Sequence, residues 1–246
     1  MLALIFLAGL VAGAMNSLAG GGSFVTLPAL ILSGMPPLAA NITSTVAVFP
    51  GQVTAGIAGR KLASGVGRLS FRALFVLSVL GGAAGGLLLL NTSPAAFGRL
   101  VPWLVLFATA LFTWGSFFRK ASGEQAAHLG PIPTGVAQFL IAVYGGYFGG
   151  GIGILMMAAL TMAGQSARHA GGTKNVLAGV MNASAVVLFV TSPQVDWLRA
   201  GVLAAGAILG GLAGSWALHK VNEKALRIAT VCIGIALTIG LFLKPF

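Results

Sequence analysis

Acidic side chains are almost missing from this chain. Its 246 residues include only Glu124, Asp196 and Glu223, against fourteen lysines and arginines. None of the three lies in a predicted span, so the apolar segments lack the carboxylates that sodium sites and proton relays usually use. Charged residues make up 7%, where a soluble domain carries roughly 25%; a soluble fold could not cover its surface. Cysteine is equally scarce. Cys232 is alone, which excludes an internal disulfide and leaves no metal cluster. No Ser-His-acid set, H-E-x-x-H motif or Walker loop occurs. No enzyme and no cofactor are expected, and ATP coupling would need another chain. The N-terminal Met1-Leu-Ala-Leu-Ile-Phe lacks the positive n-region of a signal peptide. It reads as the start of a first membrane segment.

Hydrophobic residues are abundant, at 57%. With the charge scarcity they predict an all-α polytopic membrane protein. A spanning helix needs about 20 apolar residues. Full-length candidates are 38–59, 71–90, 99–118, 168–191, 198–218 and 226–244. Two further stretches, 1–33 and 132–163, each hold a longer run, a glycine break and a run of about ten residues, which as helix reaches about 15 Å. These are half-helices or strongly tilted spans.

The net charge of +11 does not point to nucleic acid, because no basic patch interleaves with aromatics on a soluble segment. The bases lie mostly in short loops. Arg60, Lys61, Arg68 and Arg72 surround one, Arg119 and Lys120 open another, and His219, Lys220, Lys224 and Arg227 surround a third. The positive-inside rule makes these cytoplasmic. Asn91–Pro94 and Ser192–Asp196, poor in base, are then external, with Arg99 near the outer face an exception. Alternation makes the 1–33 hairpin begin and end outside and the 132–163 hairpin begin and end inside. Each half becomes a glycine-broken, re-entrant or spanning, hairpin plus three transmembrane helices. The expected layout is an N-terminal repeat over 1–120, a cytoplasmic linker over 121–131 and an inverted C-terminal repeat over 132–246, in one membrane domain with both termini external.

The breaks carry the chemistry. Asn16 and Ser17 precede Gly20-Gly21-Gly22-Ser23; the second half reads Gly149-Gly150-Gly151-Ile152-Gly153. A shift of about 130 residues lays Gly34 on Gly164 and Thr43 on Thr173. Paired, glycine-interrupted short segments point to a transporter's binding site. A break at membrane depth must be buried in protein or line a wet cavity, and helix N-termini attract anions. Asn41, Thr43 and Ser44, with Thr173, Lys174 and Asn175, add hydroxyl, amide and cationic donors suited to an oxyanion. Ser and Thr also bond back to their own helices, and Lys174 could instead snorkel beside Arg168 and His169. Gln52, Gln138 and Asn182 read as helix-linking amides. Gly81, Gly82, Gly85 and Gly86, and Gly206, Gly210 and Gly214, read as close-packing positions. An anion leaving a negative interior gains about 2.3 kcal/mol per charge per 100 mV, so outward movement needs no coupling ion.

Asn16-Ser-Leu-Ala-Gly-Gly-Gly22-Ser23 with Leu27-Pro28, Ala40-Asn-Ile-Thr43-Ser44, Gly145-Gly-Tyr-Phe-Gly-Gly-Gly151-Ile-Gly153 and Ala170-Gly-Gly-Thr173 together resemble the TauE/SafE family of sulfite and organosulfonate transporters. The resemblance covers nearly the whole chain, although Met157 stands near the place matching Pro28. It implies a bacterial inner-membrane protein, with the lipid bilayer and a small sulfur-containing anion such as sulfite or sulfoacetate as its partners. Export is the expected direction. A passive anion channel, or a permease or assembly subunit without transport of its own, stays open, as does a homo-oligomer.

Overall fold

The computed structural model describes residues 1–18, 22–118, 129–217 and 223–243. The linker expected over 121–131 falls mostly outside these. Ten α-helices and no strand occur among the described residues. They are α1 (Leu2–Leu18), α2 (Ser23–Leu32), α3 (Pro37–Gly59), α4 (Phe71–Leu90), α5 (Pro94–Thr113), α6 (Pro131–Tyr147), α7 (Ile152–Met162), α8 (Ala167–Phe189), α9 (Trp197–Ala217) and α10 (Glu223–Leu243). A π-turn, Trp114–Phe118, extends α5.

By length and apolarity, Phe71–Leu90 and Pro94–Phe117 could each cross a membrane. Of the other expected full spans, α3 and α8 are longer, at 23 residues each. Asn41 and Thr43 on α3 and Arg168, Lys174 and Asn175 on α8 lower their hydropathy. The broken hairpins contain short helices, as expected: α2 has 10 residues and α7 has 11.

Both short helices end alike. Gly34 and Gly164 have φ of +88° and +99°, which only glycine adopts freely. Met35 N–H then donates to Leu30 O at 3.2 Å and Gln165 N–H to Leu160 O at 3.0 Å. This six-to-one closure satisfies a terminal carbonyl and turns the chain. Pro36 and Ser166, both extended, start the next helices.

Glycines then set the packing. Gly9 and Gly13 lie on the backbone of Leu203 and Ala207, while Gly206 and Gly210 lie on that of Phe6 and Leu10. This makes α1 and α9 a parallel pair in backbone contact. Gly81 and Gly85 lie equally close to Phe139 and Val143, and Gly146 to Gly82, pairing α4 with α6. Thus the first helix of each half packs on the fourth of the other. Such close approach replaces the hydrophobic drive that lipid does not supply. The helices α3 and α8 cross antiparallel between the two pairs, with Gly59 against Gly172 and Gly56 against Asn175.

The loops gather at two ends. One holds Ser64 bonded by Gln165, Leu129 bonded to Met162, and Ser116 bonded by Arg227. Arg60, Lys61, Arg68 and Arg168 belong to this end. The opposite end holds Thr92 near Tyr147, and Arg199 on Ser33 O. Its Arg199 is paired with Asp196. Asp196 also accepts from Arg199 N–H at 2.9 Å, capping α9. That backbone bond, then the guanidinium, holds its carboxyl below the usual carboxylate value.

Two stability outcomes follow from these contacts. Gly210→Leu, whose Cβ would meet the Leu10 carbonyl, should abolish the folded state, while Gly201→Ala, with open space around it, should leave the detergent melting temperature within a few degrees. The Asp196 cap should contribute fully above the ordinary carboxylate pKa and fade as pH falls through its lower folded value. Melting temperatures of wild type and Asp196→Asn should therefore differ at neutral pH and converge in acid.

Candidate functional site

The second glycine break is the place where sequence-predicted residues from both halves meet. Helix α6 ends at Tyr147, and Phe148 N–H and Gly149 N–H both return to Tyr144 O, at 2.8 and 3.3 Å. The Tyr147 carbonyl accepts from Asn41 Nδ2 at 3.1 Å, in a buried bond from α3. The Tyr147 hydroxyl lies 3.3 Å from Thr92 Oγ1, and its ring packs on Phe97. The carbonyl end of the break is therefore closed by protein.

The amide end is not. Gly151 precedes α7 with φ of +76° and no side-chain cap. Intrahelical bonding starts with Ile154 and Leu155, which donate to Gly151 O. The amides of Ile152 and Gly153 are first-turn donors with no helical acceptor. Lys174 of α8 reaches this point. A Cβ on Gly153 would stand 3.6 Å from Lys174 Cδ and 3.7 Å from its Nζ. The ammonium has no hydrogen bond or ion pair to any described residue. It points to the break rather than out beside Arg168 and His169. On the other side, Ala108 of α5 backs Gly150 and Gly151.

This juxtaposition is electrostatically unfavourable as it stands. A unit positive charge faces the half-positive end of α7. At about 5 Å and an effective dielectric of about 20, the repulsion is roughly 1.5–2 kcal/mol. An anion between them would reverse the sign of both terms.

The remaining predicted residues are distributed differently. Thr43 Oγ1 accepts from Asp196 N–H at 3.1 Å and lies 3.4 Å from Gln194 O. Thr173 Oγ1 accepts from Ser64 N–H at 3.1 Å and from Gln165 Nε2 at 2.9 Å. Each threonine thus holds a loop of the other half, at opposite ends of the bundle. Ser44, which corresponds to Lys174, shares a 2.6 Å hydrogen bond with Thr26. Asn16 accepts from Gly22 N–H at 2.9 Å, and Ser23 begins α2. Gly20 and Gly21, and the Ser17 side chain, lie outside the described residues. Asn175 packs against Gly56 and Gly59. Sequence reasoning passed over Tyr147 and Gln165. An aromatic residue adjoining the glycine run was a usable signal for the first; nothing marked the second.

Beyond Tyr147, at the end poor in base, lies a cavity of about 530 Å³. Its walls include Ile42, Thr92, Ser93, Leu188, Thr191 and Gln194. No charged side chain among the described residues lines it.

The two glycines at the α7 end differ in what they tolerate. Gly151→Ala should lower the melting temperature, since its positive φ costs an L-residue about 1–2 kcal/mol. Gly153→Ala should fold as wild type or better, because the new methyl makes only ordinary contact with Lys174 and alanine favours helix. Detergent unfolding of the two variants checks both.

Comparison with known proteins agrees with this architecture. Residues 5–241 match the family described as "Sulfite exporter TauE/SafE". A "Probable membrane transporter protein" of Haemophilus influenzae is 29% identical over 240 residues, 97% of this chain and 93% of that protein. "Probable membrane transporter protein ORF9" of a Sinorhizobium species is 28% identical, covering 100% of this chain and 94% of its own length. "Probable membrane transporter protein YfcA" of Escherichia coli K12 is 25% identical, with 97% and 88% covered. No solved structure matches the chain. With nearly its whole length matched, the chain belongs to the TauE/SafE sulfite exporter family.

Proposed function

We propose that this protein transports small sulfur-containing oxyanions, such as sulfite or sulfoacetate, outward across the bacterial inner membrane. The observation that carries the reading is the unpaired Lys174 ammonium at the open N-terminus of α7. Two positive elements meet there without a described counter-charge. A membrane-embedded cation is costly, by about 2.5–3.5 kcal/mol at mid-helix, so a position that holds one without a partner suits a charged ligand. The first-turn amides supply N–H donors, and glycine at 153 leaves room for approach. The family description and the relatives' names support transport as the activity, and the family description supports sulfite as the substrate class. The absence of carboxylates from the spans supports movement down the membrane potential rather than sodium or proton coupling.

Inverted repeats fit the same arrangement. The pairing of α1 with α9 is mirrored by that of α6 with α4, and the glycine turns at 34 and 164 lie at opposite ends of the bundle. With the basic end cytoplasmic, the first hairpin opens outward and the second inward.

In proteoliposomes, sulfite flux should be saturable and carried by this chain alone. Lys174→Gln should reduce it about tenfold or more at normal melting temperature, the loss of one charge-assisted contact being about 1.5–3 kcal/mol, while Lys174→Arg retains part. Gly153→Val, which crowds the ammonium, should fold and lose the sulfite-induced rise in melting temperature that mass action gives the wild type. Unchanged flux in Lys174→Gln would remove the anion from this place. Cysteine labels at Gly65 should react from the cytoplasm and those at Ser93 and Gln194 from the periplasm; one shared side would overturn the orientation.

A further inference from the structure

The starts of α4 and α6 enclose an apolar groove on the outside of the bundle, with a volume of about 420 Å³. Leu69 and Leu77 form one side, and Ile132, Val136 and Leu140 form the other. Further along, the two helices touch: a Cβ on Gly81 would stand 2.8 Å from Phe139 O. Toward the helix starts, leucine side chains replace that backbone contact. A Cβ on Gly135 would meet only Leu77 Cδ1 at 3.5 Å and Leu69 Cδ2 at 3.9 Å. On the buried side, Gln138 donates to Ser78 Oγ at 2.9 Å and ties the helices together. The outward side chains stay bare, with Ile132 77% and Leu140 59% exposed. Glycine is a poor helix former, and at 135 its missing side chain keeps the groove open.

The groove has the depth of one leaflet. Pro131 to Leu140 rises about 14 Å along α6, and half of the hydrocarbon core is about 15 Å. Its mouth is basic. Gly67, with φ of +56°, sets a two-residue turn in which Val66 and Leu69 exchange N–H bonds at 2.9 Å. Arg68 stands at the tip of that turn beside Leu69, and Arg72 lies in the first turn of α4. Both are exposed, and neither has a hydrogen bond or ion pair to any described residue. Asp196 belongs to the opposite end and is paired with Arg199. The dipoles of α4 and α6 also turn their positive ends toward the mouth.

We propose that this groove holds an anionic phospholipid, with one acyl chain along Leu77, Val136 and Leu140 and its phosphate at Arg68 and Arg72. Any lipid-facing helix surface accepts acyl chains; the two arginines at the mouth make this one selective. A guanidinium meets phosphate oxygens through paired N–H donors, and basic pockets between membrane helices hold acidic headgroups. The phosphodiester supplies the counter-charge that no described residue gives. A zwitterionic lipid brings its own cation to the arginines and loses that advantage. The site is separate from Lys174 and does not depend on the anion reading.

Native mass spectrometry of the full chain in mild detergent tests this, with phosphatidylglycerol and phosphatidylcholine of the same chain length in equal amounts. Wild type should retain one phosphatidylglycerol with a preference of about tenfold or more, since each arginine near a membrane surface is worth about fivefold. Arg68→Gln with Arg72→Gln should lose that preference at an unchanged melting temperature, because both side chains are exposed. Gly135→Leu starts from ordinary contacts and extends into the groove, so it should fold and retain neither lipid. Arg99→Gln, at the opposite end, should behave as wild type. Equal retention of the two lipids by wild type would overturn the proposal. So would a preference that survives in both the double-arginine and the Gly135→Leu variants. An equal loss in Arg99→Gln would also overturn it, by assigning the preference to overall positive charge.

Discussion

A helix that stops among apolar neighbours leaves backbone amides and carbonyls that those neighbours cannot satisfy, and this protein makes such stops in both halves, after α1 and after α6. Most of its specific contacts are answers to that constraint. Asn41 crosses from α3 to close the Tyr147 carbonyl. Asn16 closes the Gly22 amide. Glycine turns at 34 and 164 fold the far ends of α2 and α7 back on their own carbonyls. The starts of α2 and α7 both lack a side-chain cap, and Lys174 is set against the second of them.

The same constraint explains why the halves interlock. Short helices bury too little surface to stand alone, so each hairpin depends on the opposite half. Helix α1 lies on α9 and α6 lies on α4, with glycine on both surfaces. Thr43 and Thr173 tie loops of the opposite half at the two ends. Separation of the halves would therefore expose the Tyr147 carbonyl, which Asn41 of the other half closes, and not only apolar side chains. Cooperative folding of one membrane unit is the physical consequence.

Local chemistry was legible in the sequence wherever it repeats. The shift that lays Gly34 on Gly164 and Thr43 on Thr173 marks elements with the same geometry, a glycine-closed helix end and a loop-holding hydroxyl. Helix lengths around the breaks followed from apolar run length. What stayed hidden was long-range partnership. Nothing local says that Thr173 meets Ser64, 109 residues away, or that Asn41 meets Tyr147, 106 away. The direction of the Lys174 chain was equally open, since its stem could reach the headgroups or the break.

Corresponding positions also diverge, and the divergence sorts function from scaffold. Gly34 and Gly164 stayed glycine because the turn admits little else. Ser44 and Lys174 differ completely: the serine is used up in a hydroxyl pair with Thr26, whereas the lysine, beside Gly153, has no partner among the described residues. The first half therefore offers a neutral, internally satisfied contact where the second offers a charge. A lysine at 44 would face the first turn of α2, whose start likewise lacks a side-chain cap, and would displace the hydroxyl pair with Thr26 that now occupies this place.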